Sequence, residues 1–424
     1  MLHLTAENKK KAYEGNGFIG STFKSIPFLF NYASMTYIFI MFNLLGEHSI
    51  SITLSLLQGI LALIIAAFSG DSRSIFLSNA KNYSALIRYR LIVLFLISVI
   101  FLECMILTRQ YLSLLSFLLI IRRFLDWLEE ILLLKSKNIR IGNLKYFIAQ
   151  IIFLLPFPFI YSSLSGYLTI YFILWFFSTI YILFHEYIFL FSKLSLPKFF
   201  LDKVNIYPTK IKKQIYATTF VALGSFILRF SLVNYLDTKS AASIISAFSV
   251  GGFSGSLISN TFIPNLINDF KSSRIIERIL VKYLILVIII TAFVFFKYEF
   301  EIDNYLNLNL KALVYSFLGG SFFLLANYYR AYLIQIKNVT TEKEDFLINI
   351  FLISCILFAS LGINSHFEYL VLITSIFALF IYLFKRRLLL HEKYFLYFYF
   401  FLYLILTFSA IFLGFLGYYL IIIK

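Results

Sequence analysis

"IIRRFLDWLEEILLL", residues 120–134, sits inside an otherwise apolar run from Tyr111 to Leu134. The run is long enough to cross a bilayer, which takes about 20 residues of helix. Yet it holds Arg122, Arg123, Asp126, Glu129 and Glu130. A charge at mid-bilayer costs several kcal/mol unless it faces a cavity or a partner. At roughly 100° per residue, all five fall within an arc of roughly 120°, while Phe124, Leu125, Leu128 and Leu132 take the other side. The segment is therefore expected to be a membrane-embedded amphipathic helix with one polar face.

The rest of the chain supports the membrane assignment. It is 61% hydrophobic and 14% charged, against roughly 25% charged for soluble domains. A soluble fold is excluded on composition. The first twenty-five residues carry Lys9, Lys10, Lys11 and Lys24 without an apolar run, so no cleaved signal peptide is expected. Apolar runs of spanning length fall at 26–42, 50–69, 91–108, 111–134, 146–162, 166–191, 215–236, 241–266, 279–296, 312–336, 346–363, 367–384 and 395–423. The reading is an all-α polytopic protein of about 12–14 transmembrane helices.

The net charge of +16 points to a membrane topology rather than to nucleic acid. Lysine and arginine concentrate in alternate connections, among them 70–90, 135–145, 192–214, 267–278 and 385–394, whereas the intervening connections are nearly free of them. By the positive-inside rule the N-terminus is cytoplasmic, and the chain is expected to be a multi-pass protein of a cytoplasmic (inner) membrane. The longest basic connection, 192–214, divides the chain into a lobe at 1–191 and a second at 215–384, with 385–424 as an additional helix.

Sites of chemistry are sparse. No GxxxxGK[ST], HExxH or CxxC occurs, and the five histidines are scattered, so neither a built-in ATPase nor a metal centre is expected. Cys104 and Cys355 each read as a small buried hydrophobe. Short outer connections count against an enzyme that holds glycan chains there, and neither a catalytic residue nor a cofactor is assigned.

Charges inside spans remain. Besides the opening segment these are Glu103, His185, Glu186, Arg229 and Arg330. Guanidinium binds two phosphate oxygens at once, so Arg122, Arg123, Arg229 and Arg330 are the candidate substrate-binding residues. Asp126, Glu129, Glu130, Glu103 and Glu186 are candidates for ion coupling or for pairing with arginine. Two readings of the 120–134 face stay open: a closed salt-bridge network between helices, or a cavity wall with one guanidinium left for an anion. Residues 240–268, with "GGFSGS" and Pro264, form a span rich in small residues, suited either to movement or to static close packing.

Several stretches resemble the bacterial polysaccharide exporters of the Wzx type. They belong to the multidrug/oligosaccharidyl-lipid/polysaccharide flippase superfamily, which also holds the MATE exporters. The stretches are "FNLLGEHSISITLSLLQGILALIIAAFSG", "KSKNIRIGNLKYFIAQIIFLL" and "LRFSLVNYLDTKSAASIISAFSVGGFSGSLISNTFIPNL". The resemblance implies two pseudo-symmetric six-helix lobes around a central cavity that opens alternately to each side. It also implies flipping of undecaprenyl-diphosphate-linked oligosaccharide for O-antigen, capsule or exopolysaccharide synthesis. The implied partners are that polyprenyl-linked cargo, the lipid bilayer, and the polymerase and chain-length proteins of the same pathway. Two alternatives stand beside it: a membrane polymerase or glycosyltransferase of that pathway, and a MATE-like drug exporter.

Overall fold

The computed structural model describes residues 36–69, 148–193, 209–252, 274–297, 308–337, 339–361 and 366–388, with isolated positions at 29–34, 96–103, 253–267 and 304–305. The opening segment 120–134, most of the connection 192–214 and the tail beyond 388 lie outside the described residues. What is described is an all-α membrane protein. Residues 36–44 are helical. They are followed by α1 (His48–Ser69), α2 (Phe157–Ser163), α3 (Leu168–Lys193), α4 (Thr209–Tyr235), α5 (Thr238–Gly251), α6 (Arg274–Lys297), α7 (Leu310–Gln335), α8 (Glu342–Leu361) and α9 (Leu370–Leu388). Among the described residues, four helices are long and apolar enough to span a membrane: His48–Ala67, Ile215–Tyr235, Leu310–Gln335 and Phe367–Arg386.

Local sequence explains the turns. Gly46 takes φ +88° between residues 36–44 and α1, a left-handed conformation open to glycine without steric cost. Asp237 ends the α4–α5 turn and caps α5, its Oδ2 accepting from the Ser240 amide at 3.0 Å. Hydrogen bonds from Ser240 hold this carboxyl below the usual carboxylate range. Asn309 closes a two-stranded ribbon (Asn304–Tyr305 with Leu308–Asn309) and caps α7 through the Ala312 amide at 2.8 Å. Its Nδ2 also donates to Glu368 at 2.9 Å, tying the ribbon to the turn before α9.

These turns gather at one end of the helices, here called the ribbon end, where an apolar core is buried. Phe39, Phe42, Leu54, Phe157, Phe172 and Trp175 come from helices before residue 192, and Leu232, Ile244, Ile245, Ala312, Ile356 and Phe367 from those after it. Phe42 meets Phe157 edge-on at 5.3 Å, and Tyr235 stacks on Phe367 at 6.4 Å. Helix α1 packs along both α4 and α5, so contact runs directly across the sequence division at 192–214. A second core, at the opposite or basic end, is built among the described residues from the later helices and includes Ile263, Ile276, Leu325, Tyr328, Leu333 and Tyr382. Ile285, Leu286 and Ile289 of α6 stay exposed, as expected of side chains that face lipid rather than protein.

The span expected at 241–266 is not one regular helix. Helix α5 stops at Gly251, and the chain continues with π-helical turns at 255 and 258. Glycine explains the path. A Cβ on Gly251 would lie 2.5 Å from the Leu313 carbonyl oxygen, and one on Gly255 2.6 Å from that of Gly320. Gly251 and Gly255, four apart, thus seat against Ser316 and Gly320 of α7, a small-xxx-small contact on both sides. Ser316 donates to the Ala247 carbonyl at 3.0 Å, and Asn327 to the Gly255 carbonyl at 3.1 Å. Close packing on α7 is what these small residues do in this conformation.

Candidate functional site

Arg229 stands on α4, six residues from its ribbon-end terminus at Tyr235, roughly 9 Å along the axis. Its Nη1 donates to the Ser55 backbone carbonyl on α1 at 2.7 Å. A mid-helix carbonyl accepts such a second bond readily because it has two lone pairs. Gly59, one turn further along α1, lies against the same side chains: a Cβ there would sit in ordinary contact, 3.6 Å, with Arg229 Cδ and Nη1 and tightly, at 3.3 Å, against Phe226. The guanidinium therefore bridges helices from the two sides of the 192–214 division.

Helix α1 and the helix α5 that packs on it also bury polar groups. Ser55 and Ser246 are fully buried and Ser243 nearly so. The hydroxyls of all three, together with Gln58 Oε1, have no hydrogen-bond partner among the described residues. Helix α5 presents Ala241 and Ala242 to Ile52 of α1. Ser246, four residues on from Ala242, is rotated only roughly 40° from that face. A half-buried basic group on helices that also bury unsatisfied hydroxyls is an arrangement that an anion, or water, satisfies well.

Arg330 has a different setting. It lies near the basic end of α7, where its Nε donates to Asp345 Oδ1 and its Nη2 to Asp345 Oδ2, each at 3.1 Å. Asp345 is fully buried and also accepts from Thr341 at 3.0 Å and from the Tyr382 hydroxyl. Two further pairs surround this one. Lys385 on α9 binds Glu344 at 2.6 Å and the Thr340 carbonyl at 3.1 Å. Arg386 forks onto Glu277 of α6 at 2.7 and 3.0 Å, while its guanidinium lies 5.0 Å from the Tyr329 ring centre. Tyr329 in turn donates to Glu277 at 2.8 Å. Four helices, α6 to α9, are thereby joined at the basic end by bonds between ionised groups, the strongest class of protein hydrogen bond.

The structure does not bring Arg229 and Arg330 together, since they sit toward opposite ends of antiparallel helices. Arg122, Arg123, Asp126, Glu129 and Glu130 lie outside the described residues, and so does the side chain of Glu186 on α3. Glu103 is exposed. Sequence reasoning missed Asp345, Glu277, Tyr382 and the pairing of Lys385 and Arg386, because all sit where a span meets its connection. A signal was present. The first turn of α8 holds Glu342, Glu344 and Asp345, and the end of α9 reads Lys385-Arg386-Arg387. Acidic and basic ends on helices of this kind pair readily when they reach the same side.

No family model matches the chain, and no curated protein matches it. Among solved structures, it is similar to a MATE in complex with Br-NRF, at 14% identity and TM-score 0.46, over 89% of this chain and 97% of that one. It is similar also to a MATE in the straight conformation, at 12% identity and TM-score 0.47, over 88% of this chain and 95% of the other.

Proposed function

We propose that the protein is a transporter that moves undecaprenyl-diphosphate-linked oligosaccharide from the cytoplasmic to the outer leaflet by alternating access, serving O-antigen, capsule or exopolysaccharide synthesis. The observation that carries this reading is Arg229, a guanidinium within the membrane that bridges α4 to α1 at Ser55, whose buried hydroxyl has no hydrogen-bond partner among the described residues. The cargo's diphosphate is the doubly charged, multi-oxygen group that such a site binds. Arg122 and Arg123 supply further positive charge on the polar face of residues 120–134, and Asp126 moderates it so that the cargo is released. Glu129, Glu130, Glu103 and Glu186 are the groups through which an ion gradient is coupled to turnover. Arg330 contributes less in this reading, because Asp345 already occupies its fork.

The lipid tail stays in the bilayer while the headgroup crosses between the two lobes, 1–191 and 215–384. The ribbon end faces outward and the basic end faces the cytoplasm, in accord with the lysine and arginine distribution. The test uses purified protein in vesicles with a labelled lipid-linked oligosaccharide in the accessible leaflet. Arg229→Gln is expected to slow its transfer to the protected leaflet at least ~10-fold while leaving insertion and folding intact. An unaltered rate in that variant removes Arg229 from the cargo path.

A further inference from the structure

The packing of the ribbon end has a cost built into it, and that cost identifies a gate. Helices before and after residue 192 share one buried core there, containing Phe42, Phe157, Leu232 and Ile245. In the proposed orientation this core seals the outer side, so the structure is the outward-closed conformer. Interleaved with this core, α1 buries Ser55 Oγ and Gln58 Oε1, and α5, which packs on α1, buries Ser243 Oγ and Ser246 Oγ, all without hydrogen-bond partners among the described residues. An unmade hydrogen bond on a buried group is penalised by its full desolvation, more than a made bond gains. Helix-interior serines commonly relieve this by bonding back to the carbonyl four residues earlier. Ser249 of the same helix does so, to Ile245 at 2.9 Å, whereas Ser243 and Ser246 do not.

We infer that the α1–α5 seam is a counterweight to the apolar seal. Its orphaned hydroxyls destabilise the outward-closed conformer and recover hydrogen bonds with water or headgroup when the seam parts. The seal alone would hold the outer side shut, because burial of large aromatics is strongly favourable. The buried polar groups among these apolar ones keep the two conformers close enough in free energy to interconvert, as a two-state device must. Arg229 reinforces the seam from the α4 side by its bond to the Ser55 carbonyl. This inference rests on the transport reading for its orientation, but the gate's equilibrium is measurable without cargo.

The experiment places a cysteine at Ala242, which is fully buried in the seam, in a chain whose Cys104 and Cys355 are replaced by serine. Labelling by a membrane-impermeant maleimide from the outer side is then followed in vesicles, with and without Ser55→Ala, Ser243→Ala and Ser246→Ala together. Removing the orphaned hydroxyls is expected to slow labelling at least ~10-fold, since one unsatisfied buried group at the low end of the usual range is worth about 5-fold and three are removed. Thermal stability is expected to rise, the opposite of the usual effect of three substitutions in a packed interface. Unchanged or faster labelling overturns the inference, and so does a fall in stability with unchanged labelling. Ser243→Ala alone, the least intrusive variant, is expected to shift labelling in the same direction by a few-fold. If the gate behaves in this way but labelled oligosaccharide does not cross, the seam stands and the cargo assignment fails.

Discussion

Asp345→Asn tests whether the charged layer at the basic end holds the later helices together. The carboxylate is fully buried, accepts both prongs of the Arg330 fork and is bonded also by Thr341 and Tyr382. An amide is isosteric but neutral, and one of its two polar atoms donates where Arg330 needs an acceptor. Breaking a buried ion pair from one side costs about 3–5 kcal/mol, because the other charge stays buried and unpaired. The Arg330 side chain keeps 16% of its exposure, so water screens part of the loss and the lower figure, about 3 kcal/mol, is expected for Asp345→Asn. Arg330→Gln strands the fully buried Asp345 instead, and is expected to cost about 4–5 kcal/mol on the same principle. In the double variant two neutral amides face each other and hydrogen-bond. Its loss is therefore expected to fall short of the sum by about 2 kcal/mol or more, the signature of direct coupling. Reversible unfolding by SDS in bicelles gives all three values. Additivity within about 0.5 kcal/mol, or a single-variant loss below about 1 kcal/mol, refutes the clamp. Arg330→Gln that folds normally and loses transport alone returns Arg330 to the cargo arginines.

Two other outcomes are accessible with the same material. Gly255→Ala drives a methyl to 2.6 Å from the Gly320 carbonyl oxygen and 2.9 Å from its Cα. Backbone atoms cannot rotate aside, so a loss of about 1–3 kcal/mol is expected from overpacking, read by the same unfolding assay. At the α4–α5 turn, the Ser240 bonds lower the Asp237 pKa in the folded chain. The cap's contribution is then complete above the ordinary unfolded carboxylate pKa and is lost as pH falls through the lower folded one. The protection of amides in the first turn of α5, relative to their intrinsic exchange rates, is expected to fall in acid below the usual carboxylate range, and Asp237→Ala is expected to remove that pH dependence of protection.

How much was legible in the sequence follows from what each feature depends on. Spans such as 50–69 and 215–236 were legible because hydrophobic length is a local property, and α1 and α4 lie over them. The cap at Asp237 and the close approach at Gly251 and Gly255 have local signatures too. The partners of Arg330 and Arg386 were not legible, since Asp345 and Glu277 are placed by helix packing and not by spacing. Lys385 and Arg386 read as solvated loop residues because hydropathy falls at Lys385. In fact α9 runs on to Leu388, and both bases are held by carboxylates from α8 and α6. The break after Gly251 was half legible: the glycines announced close packing, but the π-helical turns depend on the fit against Ser316 and Gly320.

In the proposed function the seam at Arg229 serves a diphosphate carried on a lipid. The most direct measurement is translocation in vesicles containing the purified chain, comparing a labelled undecaprenyl-diphosphate oligosaccharide with a cationic dye. The account predicts that the lipid-linked oligosaccharide becomes protected without lengthening and that the dye does not cross. Dye efflux with no movement of the oligosaccharide, or glycan growth without movement, contradicts it.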